Sequence, residues 1–144
     1  MKVTSPDFEP GGRLDDRHSF GSENVAPRIV VSDVPEGTRE LALILHDPDA
    51  PLPHGFTHWL RYGLPAHAGE ISSDAVAHRD GVNEFGKRGY GGPMPPVGHG
   101  PHHYFFWVYA LSEPVAGEPG RLQFLDEYAD RIVAQARVVG VYSR

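Results

Sequence analysis

Apolar residues in this chain come in short runs set between clusters of turn-forming residues. Ile29-Val30-Val31 is β-branched and reads as a strand. Pro35-Glu36-Gly37-Thr38 reads as a turn. Leu41 to His46 is a continuous apolar run that stops before Pro48, and its length predicts a strand buried on both faces. The next strand alternates: Phe56, His58, Leu60, Tyr62 and Leu64 are expected on one face, with Thr57, Trp59 and Arg61 on the other. Ser72 to His78 fits one short helix with Ser72 or Ser73 as N-cap. Tyr104 to Leu111 is the strongest strand signal, and Gly117 to Gly120 is a turn. Leu125, Tyr128, Ala129, Ile132, Val133 and Ala136 recur at helical spacing, predicting a helix to Val138 capped by Gly140, with Tyr142 in a final extended piece. Residues 1–27 are polar and turn-rich, with isolated Val3, Phe8, Leu14 and Phe20. No internal repeat or linker divides the chain, so residues 1–144 are expected to form one mainly β domain with a flanking helix.

Composition sharpens this picture. Gly and Pro make up 31 of 144 residues, against about 12% in an average chain. Eleven of them fall in residues 81–101, between apolar strands and without a G-x-y period, so they mark one long structured loop. There is no cysteine, which excludes disulfides, a thiolate nucleophile and Cys-ligated metal. Lys2 is followed by no apolar run of a signal peptide, so a cytoplasmic setting is expected. No segment reaches the ~18 apolar residues of a membrane span. The net charge of −6 argues against nucleic acid and stable membrane insertion.

Three segments set polar groups beside core strands. In Asp47-Pro48-Asp49-Ala50-Pro51, two prolines stiffen a loop that carries two carboxylates. Such a dipeptide is commonly just a turn. His58 lies on an apolar strand face, where a core histidine is the simpler reading. Gly98-His99-Gly100-Pro101-His102-His103-Tyr104 leads from the Gly/Pro loop into the strongest strand. Alternation sets His102, Tyr104 and Phe106 on one face and His103 and Phe105 on the other, and a solvated His cluster is the plain alternative. The chain has no G-x-S-x-G, H-E-x-x-H, dinucleotide fingerprint or P-loop. Asp, His, Tyr and backbone N–H groups remain, a set suited to binding a small anion or polar head group.

The three segments in this order resemble the phosphatidylethanolamine-binding protein family, which includes the Raf kinase inhibitor proteins. Asn24, Pro27 and the Val34–Thr38 turn resemble that family's lead-in to its first core strand. Asn83 to Pro93 and Ala136 to Arg144 resemble its bacterial and archaeal Raf-kinase-inhibitor-like branch. The resemblance implies a β-sandwich, with a large central sheet packed on a smaller one and a C-terminal α-helix. It implies a pocket for phosphate, acetate or a phospholipid head group, formed by Asp47, Asp49, His58, His102 and Tyr104 with Pro96 on the rim. It implies no cofactor, a kinase-like protein partner by analogy, and a homodimer as in microbial relatives. His103 stands where many members have Arg, and Met94 where some have Gly or Cys. A carboxylate beside an anion site acts indirectly: it accepts from a His ring, fixes its tautomer and favours its protonated form. Two other classes stay open. One is a hydrolytic or metal-dependent enzyme built on the same Asp/His cluster; the other is an interaction protein with a vestigial pocket.

Overall fold

A computed structural model describes residues 1–144. The strands are β1 (Lys2–Thr4), β2 (Val30–Ser32), β3 (Glu40–Asp47), β4 (Phe56–Leu64), β5 (Gly69–Glu70), β6 (Arg79–Asp80), β7 (His102–Leu111) and β8 (Ile132–Tyr142), with one helix, α1 (Arg121–Tyr128), before β8. They form a five-stranded sheet in the order β6-β4-β3-β7-β8 and a three-stranded sheet in the order β1-β2-β5. Every paired neighbour is antiparallel.

All eight residues of β3 are buried, as its unbroken apolar run predicts. Leu41, Leu43 and Leu45 face the small sheet and pack with Val3, Ile29 and Val31. Ala42 and Ile44 face the other way, where Phe124 of α1 and Val115 of the preceding loop cover them with Leu60 and Tyr62. The mainly β architecture of two sheets with one short helix matches the expected fold class.

Three local expectations are corrected. First, β4 does not alternate cleanly. Leu45 pairs with Trp59 but His46 pairs with Thr57, so His58 is an extra residue, and a second irregularity falls between Arg61 and Leu64. Gly63 supplies the left-handed backbone there, with φ 69°. Each bulge reverses the facing of the residues after it. Leu60 and Tyr62 therefore join the α1 side, whereas His58, Trp59, Arg61 and Leu64 lie on the side of the small sheet and of a cavity at the sheet's end.

Second, residues 72–78 form turns rather than a helix. Ser72 Oγ accepts from Ile29 N–H at 2.8 Å and Ser73 Oγ from Ala75 N–H at 3.1 Å. The Ile71 and Ser73 carbonyls accept from the buried Arg61 guanidinium, and Ser73 O also takes Val76 N–H in a single i→i+3 turn that does not propagate.

Third, the C-terminal helix starts earlier and ends sooner than its periodicity suggests. After Tyr128 a 3-10 turn, Ala129–Arg131, leads into the eleven-residue β8. Ile132, Val133, Val138, Val139 and Val141 suit a strand, and pairing along β7 overrides the helical spacing. Gly140 lies inside β8 opposite Tyr104, and Leu14 packs where its Cβ would be. No helix is long and apolar enough to cross a membrane.

Candidate functional site

At one end of the large sheet, the last residue of β3, the start of β4 and the start of β7 meet the loop rich in Gly and Pro. They enclose a cavity of about 250 Å³. Asp47, His58, His102 and Tyr104 supply its polar groups, and Leu52, Phe56, Phe85, Met94, Pro95 and Pro96 most of its apolar wall. Five of the six residues expected in a pocket (Asp47, His58, Pro96, His102 and Tyr104) thus converge. Asp49 does not line the cavity. Its Oδ2 accepts from His103 N at 2.7 Å and His103 Nδ1 at 2.8 Å, which braces the loop against β7 from outside. His103 is exposed and turned away from His102, as alternation requires.

The bulge at His58 is what aims its ring into the cavity beside Tyr104, with ring centroids 5.3 Å apart. His58 Nδ1 lies 2.7 Å from the Gly91 carbonyl. A carbonyl only accepts, so Nδ1 carries the proton and Nε2 keeps its lone pair. Burial pushes the His58 ring down to about 4, against the Gly91 and Gly92 carbonyl contacts that favour its charged form. His58 is therefore neutral near pH 7.

His102 is buried and bonded at both nitrogens. Nδ1 lies 2.6 Å from Asp47 Oδ2, and Nε2 lies 2.6 Å from His99 Nδ1. Asp47 Oδ1 accepts from Asp49 N at 2.7 Å, which shapes the Asp-Pro-Asp turn. Burial raises the Asp47 carboxyl above its ordinary value, although the His102 contact pulls the other way. Burial opposes ionisation of Asp49 too, but there the His103 contacts win and hold its carboxyl low.

Tyr104 is fully buried, and its hydroxyl has no hydrogen-bond partner. Burial, with Asp47 nearby, pushes the phenol well above its ordinary value, so it stays an O–H donor. An unsatisfied buried hydroxyl costs roughly 1–3 kcal/mol, and this one lies on the cavity wall.

Two asparagines hold the opposite rim. Asn83 donates to the Gly89 carbonyl and accepts from Phe85 N and Lys87 N. Asn24 Oδ1 accepts from Gly92 N at 2.8 Å. Phe85, fixed by the Asn83 turn, stacks on Phe20 and meets Phe56 and His58 edge-on. Sequence reading missed Phe85, Leu52 and His99, because nothing in their own spacing places them at the end of β3. A separate cluster, Asp74, His78 and Asp80, has metal-ligand chemistry, but the Arg61 guanidinium already bonds both of its carboxylates at 2.8 Å.

Comparison with known proteins identifies the family and the fold. The family described as "Phosphatidylethanolamine-binding protein" matches residues 4–143. The UPF0098 protein of Aquifex aeolicus is 39% identical over 153 residues, an alignment covering all of this chain and 89% of that protein. The UPF0098 protein YbcL of Escherichia coli is 40% identical over 127 residues, covering 78% of this chain and 69% of that protein. The crystal structure of Escherichia coli YbcL, described as a new member of the mammalian PEBP family, superposes with a TM-score of 0.90 at 32% identity, covering 99% of this chain and 98% of that one. A match along nearly the whole chain and a shared fold leave one assignment: the chain belongs to the phosphatidylethanolamine-binding protein family.

Proposed function

We propose that this chain binds a small anion (phosphate, acetate or the phosphate of a lipid head group) in the cavity between the Asp47 loop and the loop of residues 93–96. The observation that carries this reading is the Tyr104 hydroxyl, a fully buried donor without a partner on the wall of a polar-floored cavity. A bound oxyanion would accept its proton in a charge-assisted hydrogen bond. The cavity of about 250 Å³ suits a head group rather than acyl chains. With a net charge of −6, weak or no retention on anionic liposomes at physiological salt is expected. The proposed setting is the cytoplasm, with which a chain free of cysteine is compatible. The enzyme alternative gains no support from the site, because both ring nitrogens of His102 are already bonded and no nucleophile–base pair faces the cavity.

Titration calorimetry with acetate and with phosphate tests the reading, acetate keeping one charge between pH 5.5 and 8. Binding by the wild-type chain, weakened about tenfold in Tyr104→Phe, is the expected result. Equal affinities in the two proteins, or no heat from either anion, would refute it.

A further inference from the structure

The cavity holds no arginine or lysine, and its one carboxylate, Asp47, repels anions. Tyr104 offers a single neutral donor. His58 is kept neutral by burial and presents a lone pair, so it repels an oxyanion over the whole range above pH 5. The positive charge that would favour an anion has to come from elsewhere. His102 cannot supply an unused N–H, because Asp47 takes one nitrogen and His99 the other.

His99 is the exposed end of that chain. Asp47 accepts from His102 Nδ1–H, which leaves the neutral His102 ring with an accepting Nε2, so His99 must donate from Nδ1. The other nitrogen of His99 is then a lone pair on an exposed ring. A proton taken there from solvent makes His99 an imidazolium whose Nδ1–H points at the cavity wall, one hydrogen bond away. Protonating an exposed ring avoids the desolvation that charging the buried His102 directly would cost.

We infer that His99, which does not line the cavity, sets its affinity for anions by taking up one proton from solvent and presenting the charge through His102. The inference rests on the anion-binding proposal. The other ionisable groups around this chain of rings come from three elements. Asp47 and Asp49 approach from the end of β3 and its loop, His58 from β4, and Tyr104 and His103 from β7. Arg144 flanks the His99 turn, its main-chain oxygen accepting from Gly98 N at 3.0 Å and its guanidinium Nε donating to the carbonyl of the wall residue Pro95 at 2.7 Å, a charge that does not change between pH 5.5 and 8. Of these, His58 stays neutral over pH 5.5–8, Tyr104 stays protonated, and His103 is turned to the opposite face of β7. His99 is thus an affinity-determining residue that acts at a distance of one ring.

Two variants with opposite signs test it. Asn in His99→Asn can still bond His102 Nε2 but cannot carry a proton, so a cation would have to sit on the buried ring. Lys in His99→Lys carries its charge at every pH used. Acetate binding is measured by calorimetry at pH 5.5 and 8, with amide NMR spectra showing that each variant is folded. The wild-type chain should bind roughly tenfold more tightly at pH 5.5 than at pH 8, the scale of one charge acting across a hydrogen-bonded ring. His99→Asn should lose that gain at pH 5.5. His99→Lys should bind at pH 8 about as tightly as the wild type does at pH 5.5. If acetate binds but both variants keep the wild-type pH ratio, the role of His99 is overturned and the anion site stands. If acetate and phosphate fail to bind the wild-type chain at millimolar concentration, the anion reading falls and the His99 role falls with it.

Discussion

Acid should destabilise this fold through two buried histidines. His46 and His58 are both almost inaccessible to solvent, and both are pushed from about 6.5 to about 4. Burial is the main cause for each; the positive charge of Arg121 adds to it for His46, and His46 and His102 for His58. A ring that resists protonation when folded takes up a proton near pH 6.5 when unfolded. Between these two values the unfolded chain therefore binds more protons, and stability falls as pH falls. Each ring should cost roughly 1 kcal/mol between pH 7.5 and 5.5, and roughly 2–3 kcal/mol by pH 4.5. Asp47 acts in the opposite sense, because its raised carboxyl takes a proton in the folded chain before the unfolded one does. Urea unfolding at pH 7.5, 6.5, 5.5 and 4.5 reads the sum. His58→Gln separates one ring from it, since a carboxamide N–H can still bond the Gly91 carbonyl yet does not titrate. The loss between pH 7.5 and 5.5 should shrink by roughly 1 kcal/mol in that variant, whatever its stability at pH 7.5. An unchanged pH dependence in His58→Gln would show that the ring is not held neutral by the fold, and the reasoning about the cavity's charge would fail with it.

Two further predictions concern the cavity wall. Tyr104→Phe removes a buried hydroxyl without a partner, so the ligand-free protein should keep its stability or gain up to about 1 kcal/mol in urea unfolding; a loss of that size would mean the hydroxyl is bonded. Gly92→Ala places a Cβ against the His18 carbonyl, at a point where Gly92 N bonds Asn24 and the Pro93 carbonyl accepts from Phe20 N. Backbone cannot yield there as a side chain can, so a loss of about 3 kcal/mol or more is expected, and a variant as stable as the wild type would contradict the packing of this loop.

Sequence reading reached the strands whose burial is uniform and stopped where pairing decides. The unbroken apolar run of β3 was readable because both of its faces are covered. In β4 the same reasoning placed His58 with Leu60 and Tyr62, because alternation has no term for an extra residue, and the bulge shows only in the register against β3. The helical spacing of residues 125–138 was real, but long-range pairing with β7 outweighed it from Ile132 onward. Five residues of the cavity wall were legible through the family resemblance that three short motifs carry in order, each commonplace alone. Their partners were not legible. That Asp47 bonds His102 while Asp49 bonds His103 depends on which side of β7 each histidine occupies at the point where the loop crosses it. His99 looks like any loop histidine until its ring is placed on His102.

The Asp47–His102 bond joins residues 55 positions apart. Adjacent strands β3 and β4 can pair early, through a short loop, but β3 meets β7 only after a chain segment of more than fifty residues has closed on itself. Closing such a loop is entropically costly and slow, so the ring that completes the cavity should form late in folding. A nascent chain released from the ribosome only through β4 would carry Asp47 and His58 yet have no cavity at all. The cavity therefore doubles as a certificate of completed folding: anything that fitted it would recognise only molecules in which the central strand has found both of its neighbours.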